Sequence, residues 1–243
     1  FGINEGDKVG FVAKNGTGKT SLLNILAGTD APDEGNVVYR KNVKTAFLSQ
    51  EPNLDPNLTI EETIFAADNE TLRIIAQYEK ALLDPNDAEA YQKAFELMDA
   101  NQAWDFETQY KQILFKLKLD DLQKKVATLS GGQKKRLGLA KVLMEEPDFL
   151  ILDEPTNHLD VDMIEWLEDY FSTAKFTLLM VTHDRYFLDR VCDTIIELDN
   201  QQLYLYKGNY SYYIEKKAER EAIEKSEISK AKNLYRKELE WVR

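Results

Sequence analysis

Apolar positions along the chain fall into three textures. Short, near-continuous apolar runs recur in KVGFVA (8–13), FLILDEP (149–155) and FTLLMVTH (176–183). Runs of this length suit central parallel strands covered on both faces. NVVYR (36–40) and KTAFLSQ (44–50) predict two further strands, and TIIELDNQQLYLY (194–206) predicts a hairpin turning near Asp199–Gln201. TSLLNILAG (20–28) predicts a helix with Leu22, Leu23, Ile25 and Leu26 inward and Gly28 at its end.

The second texture runs from about 66 to 107, where the pattern is helical, polar, acidic and free of glycine. It reads as a small helical insertion. The third begins after Gly208, with no Gly or Pro to the end. There Ile228, Ala231, Tyr235, Leu239 and Val242 recur at spacings of three and four and share one helical face. A long helix, or two, projecting from the core is expected.

Composition sharpens this picture. The 243 residues are 43% hydrophobic, enough for one sizeable core with a small appended domain. The net charge of −12 does not favour broad nucleic-acid binding. The charge is uneven, however. Residues 215–243 carry nine Lys/Arg against seven Asp/Glu, net +2, so the remainder carries −14. Residues 66–110 carry ten acids and three bases, net −7. Separate partners for separate segments, or simply solvated helix faces, both fit. The single cysteine, Cys192, sits in an apolar stretch and reads as a buried structural thiol in a reducing cytosol. No apolar run has the ~18–20 residues of a membrane span. The opening FGINEGDKVGF reads as the middle of a domain, so a truncated chain is expected.

Three stretches carry chemistry. AKNGTGKT, Ala13 to Thr20, follows a strand and opens a helix, as a phosphate loop does. Its backbone N–H groups from Lys14, Asn15, Gly16, Thr17 and Gly18 to Ser21 can wrap phosphate. Lys19 supplies charge, and Thr20 a hydroxyl for Mg²⁺. Ala13 stands where the usual pattern has glycine. Alanine is harmful there only if the position needs positive φ. In FLILDEP, Asp153 ends a strand as a Mg²⁺ carboxylate does, and Glu154 is placed to polarise a water; paired carboxylates also cap helices. In LSGGQ, Ser130 is a good N-cap, and Gly131, Gly132 and Gln133 begin a helix at a second anion site.

AKNGTGKT, LSGGQ and FLILDEPTNHLD, with FLSQ before and VTHDR after, resemble the nucleotide-binding domain of an ATP-binding-cassette protein over Phe1 to Gly208. The resemblance implies a phosphate-loop α/β fold with a small antiparallel β subdomain, a helical subdomain and a C-terminal helical extension. It implies ATP and Mg²⁺ as ligands. Lys19 and Thr20 would hold phosphate and metal. Gln50 would reach Mg²⁺ and the attacking water, Asp153 would support the metal, Glu154 would be the base and His183 would contact the γ-phosphate. Ser130 and Gly132, with Asp160, would face the ATP of a second cassette, which explains two anion sites in one chain. His158 would order its loop. The aromatic residue that stacks on adenine would lie before Phe1.

DEPTNHLD, the insertion read as a short arm, and YKGNYSYYIEKKAERE running to ELEWVR resemble the ABC-F class, in texture its Uup-like branch. The chain would be a first cassette (1–208, with the arm at 66–107) and the start of the linker (209–243). The class implies a cytoplasmic protein acting at the ribosome, the linker reaching towards tRNA. Lys216, Lys217, Arg220, Lys230, Lys232, Arg236, Lys237 and Arg243 could meet rRNA or tRNA phosphates, although a salt-bridged helix fits as well. Two alternatives remain open: the ATP-binding subunit of a membrane transporter, and an ATPase acting on branched DNA.

Overall fold

The computed structural model describes residues 1–84 and 86–241, with side chains described as far as Lys232. Six strands form one sheet: β1 (Lys8–Ala13), β2 (Thr45–Leu48), β3 (Phe149–Asp153), β4 (Thr177–Val181), β5 (Thr194–Asp199) and β6 (Gln202–Lys207). Their order is β2-β3-β4-β1-β5-β6. All neighbours are parallel except β5 and β6, which form an antiparallel hairpin. Asn200 and Gln201 turn that hairpin with φ of 49° and 63°, the positive pair that a two-residue turn of primed type needs.

Alternate residues of each strand enter two apolar layers. Phe149 and Ile151 join Val9, Phe11, Leu179, Val181 and Leu23 of helix α1 (Lys19–Leu26). Leu150 and Leu152 join Leu178, Met180, Ile195 and the helices of the opposite face. Burial on both sides is why these strands read as unbroken apolar runs. The α1 face is thinly covered. Of the four residues expected inward from α1 only Leu23 is fully buried, while Leu22, Ile25 and Leu26 line an open cavity of about 1120 Å³. Gly28 ends α1 as expected. It sits at φ 74°, its N–H bonds Ile25 O and the Thr29 N–H bonds Asn24 O.

The strand expected over residues 36–40 is not formed. No neighbouring strand supplies a ladder there, and Val38 is 79% exposed. The small antiparallel β subdomain is accordingly absent among the described residues, and the antiparallel component of the sheet is the β5–β6 hairpin.

The opposite face carries α2 (Ile60–Phe65), α3 (Glu70–Leu82), α4 (Ala88–Ala100), α5 (Ala103–Lys116), α6 (Gly131–Met144), α7 (Val161–Thr173) and α8 (Arg185–Val191). The acidic 66–107 stretch is helical, and its last helix, α5, continues to Lys116. Leu72, Ile75, Met98 and Tyr110 from it enter the same apolar layer as the sheet. Tyr78, Tyr91, Phe95 and Trp104 close a ring of aromatic contacts, centroids 5.1 to 6.3 Å apart, that joins α3, α4 and α5. Asn69 caps α3 and donates to Met144 O at 2.8 Å, tying this layer to the end of α6. Cys192 is buried, and burial raises its thiol above the ordinary range, as a structural role requires.

After Gly208 one helix, α9 (Tyr210–Trp241), runs for 32 residues. Tyr213 is buried, and residues 222–232 are exposed. Ile228 and Ala231, expected on a shared face, are therefore exposed. The side chains of Tyr235, Leu239, Arg236 and Lys237, and Val242 and Arg243 altogether, lie outside the described residues. The root of α9 is fixed by Glu197 of β5, which is 2% exposed. Glu197 accepts from Tyr213 Oη at 2.9 Å and pairs with Lys217 and Arg220. A buried carboxylate with this many donors is compensated, and stranding it would be costly.

Gly138 of α6 lets that helix approach the segment after β2. A Cβ there would stand 2.8 Å from Pro52 Cβ and 2.9 Å from Cγ, in a ring that cannot turn aside. Alanine favours a helix over glycine by about 1 kcal/mol. Gly138→Ala is nonetheless expected to destabilise the chain by about 1–3 kcal/mol through overpacking, measured by urea denaturation. A stabilised variant would show that the contact yields freely.

Candidate functional site

Parallel strands end at one edge of a sheet, and here the carboxyl ends of β1, β2, β3 and β4 gather there. The chain leaves β1 towards β2 and leaves the neighbouring β4 towards β5, in opposite directions, which is where open α/β sheets form a crevice. Residues 14–18 leave β1 at this edge and lead into α1. Gly16 and Gly18 hold φ of 79° and 91°, and Gly18 is the N-cap of α1 with no side chain over the first turn. The first-turn N–H groups have no side-chain cap, and a Cβ at Gly16 or Gly18 would meet nothing within 4 Å, as suits an anion cradle. Ala13 is a strand residue paired with Leu198 and is not at positive φ, so the loop accommodates alanine. Lys19 folds back over the loop, its Nζ 3.1 Å from both Ala13 O and Asn15 Oδ1.

Thr20 Oγ1 donates to Asp153 Oδ2 at 3.1 Å. That separation matches the edge of an octahedron with ~2.1 Å arms, so the two oxygens fit as neighbouring Mg²⁺ ligands. Among the described residues no cluster of three His, Cys, Asp or Glu could hold a metal alone. One carboxylate, one hydroxyl and ligand phosphates are the set expected of Mg²⁺.

Glu154 is 6% exposed and sits at φ 52°, a strained position for a non-glycine residue. The sheet holds it there, since its N–H donates to Val181 O at 2.8 Å. Its Oε2 accepts from the His183 N–H at 3.3 Å. His183 Nε2 stands 3.4 Å from Oε1 without hydrogen-bond geometry, which leaves Oε1 buried with no donor. A buried carboxylate oxygen without a donor suits a group that takes its proton from a bound water. Gln50 is exposed, two residues beyond the end of β2 and at the same edge, and Gly138 against Pro52 steadies its segment.

Ser130 caps α6 reciprocally with Gln133: the Gln133 N–H reaches Ser130 Oγ and the Ser130 N–H reaches Gln133 Oε1. Gly131 faces open space, and Gly132 lies close against His158, which is itself at φ 66°. No hydrogen bond or ion pair among the described residues joins 130–133 to residues 13–21. Asp160 caps α7 through the Met163 N–H. The Lys118 ammonium, 2.6 Å away, and that N–H hold its carboxyl below the usual range. The site therefore divides into the 13–21 loop with Asp153, Glu154 and His183, and a separate Ser130–Gln133 start of α6.

Sequence reasoning missed Lys135. It lies in a stretch that reads as an ordinary basic helix, yet it is 5% exposed. Burial lowers its ammonium from the usual range, against the pull of Glu154 and Asp153. Lys14 likewise carries an unforeseen ion pair, with Asp199 at 3.1 Å.

The family model described as ABC transporter matches residues 1–157, and a second of the same description matches 196–243. The chain belongs to the ATP-binding-cassette (ABC) family. It is 45% identical, over all of its length, to "Uncharacterized ABC transporter ATP-binding protein YfmR" of Bacillus subtilis (strain 168). It is 38% identical, over 98% of its length, to "Energy-dependent translational throttle protein EttA" of Mycobacterium tuberculosis (strain CDC 1551 / Oshkosh). The ABC chain spans 40% and 44% of these two relatives. A solved ATP-binding subunit of an ABC transporter shares the cassette fold, with a TM-score of 0.63 and 22% identity over 85% of this chain and 81% of that one. No described helix is long and apolar enough to cross a membrane.

Gly18→Ala is expected to cost about 1–3 kcal/mol in urea denaturation, because alanine is strained at φ 91°. Gly131→Ala, in open space and not at positive φ, is expected to change stability by less than ~0.5 kcal/mol. Equal costs would refute the backbone argument for the loop.

Proposed function

We propose that the chain is the ATP-hydrolysing first cassette of an ABC-F type protein that acts on the ribosome in the cytoplasm. Residues 1–208 are its cassette, 66–107 its arm and 209–243 the start of its linker. The observation that carries this reading is the similarity to the translational throttle protein. It covers 98% of the chain, so it includes α9 as well as the nucleotide motifs. A transporter subunit has the cassette in common but no need of a projecting helix at this point.

In this reading Ala13 to Ser21 wrap the phosphates of ATP, Lys19 swings from its loop carbonyls to the β- and γ-phosphates, and Thr20, Asp153 and Gln50 hold Mg²⁺. Bound Mg²⁺ supplies charge neutralisation on the β- and γ-phosphates. Gln50 and Glu154 orient the attacking water, and Glu154 Oε1 takes its proton. His183 contacts the γ-phosphate. Water displaces ADP from the γ-phosphorus, giving ADP and inorganic phosphate. Ser130, Gly131, Gly132 and Gln133, with Asp160, face the ATP of a second cassette, on the same longer chain or in a head-to-tail pair of this one. The separation of Ser130–Gln133 from the chain's own loop supports that division of labour. A single cassette lacks the opposing Ser130–Gln133 element and turns over ATP weakly. Lys230 and Lys232, exposed on α9, face rRNA or tRNA phosphates, whereas Lys217 and Arg220, expected to do so, are held by Glu197 at the root of the helix.

Glu154→Gln is expected to retain ATP and lower hydrolysis about a hundredfold or more, the range lost with a general base. Near-normal turnover removes Glu154 from that role. The full-length protein carrying this change and its equivalent in the second cassette should co-sediment with ribosomes when ATP is present and not without it. Failure to do so with ATP binding intact would sink the ribosomal reading and move the search to DNA or membrane partners.

A further inference from the structure

The β5–β6 hairpin touches the 14–18 loop on one side and α9 on the other, and one carboxylate faces both. Asp199 ends β5. Lys14 Nζ lies 3.1 Å from its Oδ1, and Arg220 Nη2 lies 3.6 Å from its Oδ2. Lys14 belongs to the loop; Arg220 belongs to the third turn of α9. Arg220 also reaches Glu197 Oε2 at 3.1 Å and Tyr206 Oη at 2.9 Å, and it stacks 3.6 Å over the Tyr204 ring. The backbone closes the circuit, because β1 and β5 are paired through Val12↔Glu197 and Ala13↔Leu198. The residues that launch the loop and the carboxylates that hold α9 thus share one ladder.

We propose that Asp199 couples the phosphate loop to α9, so that bound nucleotide and the docked helix each favour the other. The proposal rests on the nucleotide reading of the loop. A lone carboxylate beside a polyphosphate site repels its ligand and claims the nearest cation, Lys14. The bond from Lys14 holds the Asp199 carboxyl below the usual range, so this charge persists. A docked α9 adds Arg220 to the same carboxylate. Arg220, which Glu197 shares, then takes up part of the Asp199 charge and leaves Lys14 freer for the ligand. By linkage, a nucleotide that prefers this arrangement must stabilise the docking of α9 by the same factor. If Asp199 were only part of a helix anchor, Glu197 would suffice for that, and nucleotide affinity would not depend on Arg220.

The test is a double-mutant cycle on equilibrium binding of N-methylanthraniloyl-ADP, at low salt, with amide hydrogen exchange over residues 210–220. Lys14 is 75% exposed, so the effect is an exposed-pair effect of about two- to fivefold. Arg220→Gln is expected to weaken the analogue by that factor. Asp199→Asn is expected to leave binding equal or tighter and to abolish the effect of Arg220→Gln made in the same chain. The analogue should slow exchange over 210–220 in the unaltered protein and not in Asp199→Asn. This last comparison stands even if Arg220→Gln releases α9 outright. Additive effects in the cycle, or equal protection with and without Asp199, would overturn the coupling while leaving the nucleotide site in place. No binding of the analogue by the unaltered protein would overturn the nucleotide reading itself.

Discussion

The arrangement of the site depends on parallel strand register. Ile151 faces Leu179 and Asp153 faces Val181, while Val9 faces Leu179 on the far side of β4. These pairings bring the exits of β1, β3 and β4 to one edge, and the loop, the two carboxylates and His183 occupy those exits. A slip of one residue would reverse every side chain in the shifted strand. Both faces are apolar, so burial alone would tolerate such a slip in the middle of β3. The slip would carry the buried Asp153 away from Thr20 and into an apolar layer. The charged end of FLILD thus helps to fix the register that its apolar body leaves free.

Polar groups at this edge are held by neighbours in the fold. Glu154 keeps its strained backbone because its N–H prolongs the ladder to Val181 O. Thr156 and Thr182 share a buried hydroxyl contact of 2.9 Å that ties the segments following β3 and β4. The α6 helix reaches the site twice, through Gly138 against Pro52 and through Gly132 against His158. The first contact requires the absence of a side chain and the second leaves little room for one, so a motif read for its backbone donors also has a packing role.

Much of this was legible in the sequence because it is local. Gly28, the Asn200–Gln201 turn and the Ser130 cap depend on a few neighbouring residues, and the buried strands announce themselves as apolar runs. What was missed depends on partners distant in the chain. Residues 36–40 have strand composition and no strand beside them. Leu22, Ile25 and Leu26 have helical spacing and only a thin cover. Glu197 reads as an ordinary polar strand position, and only the fold brings Lys217, Arg220 and two tyrosines around it. Ile228 and Ala231 share a face, but spacing cannot say whether anything lies against it.

The uneven anchoring of α9 has a mechanical consequence. All described contacts of the helix lie in its first turns, and the 20 residues beyond Glu221 extend it by about 30 Å. Such a rod is a lever whose fulcrum is the hairpin. A tilt of roughly 10° at the root carries the far end through about 5 Å, nearly one helical pitch. Displacements too small to disturb the sheet can therefore become a stroke of molecular size at the tip.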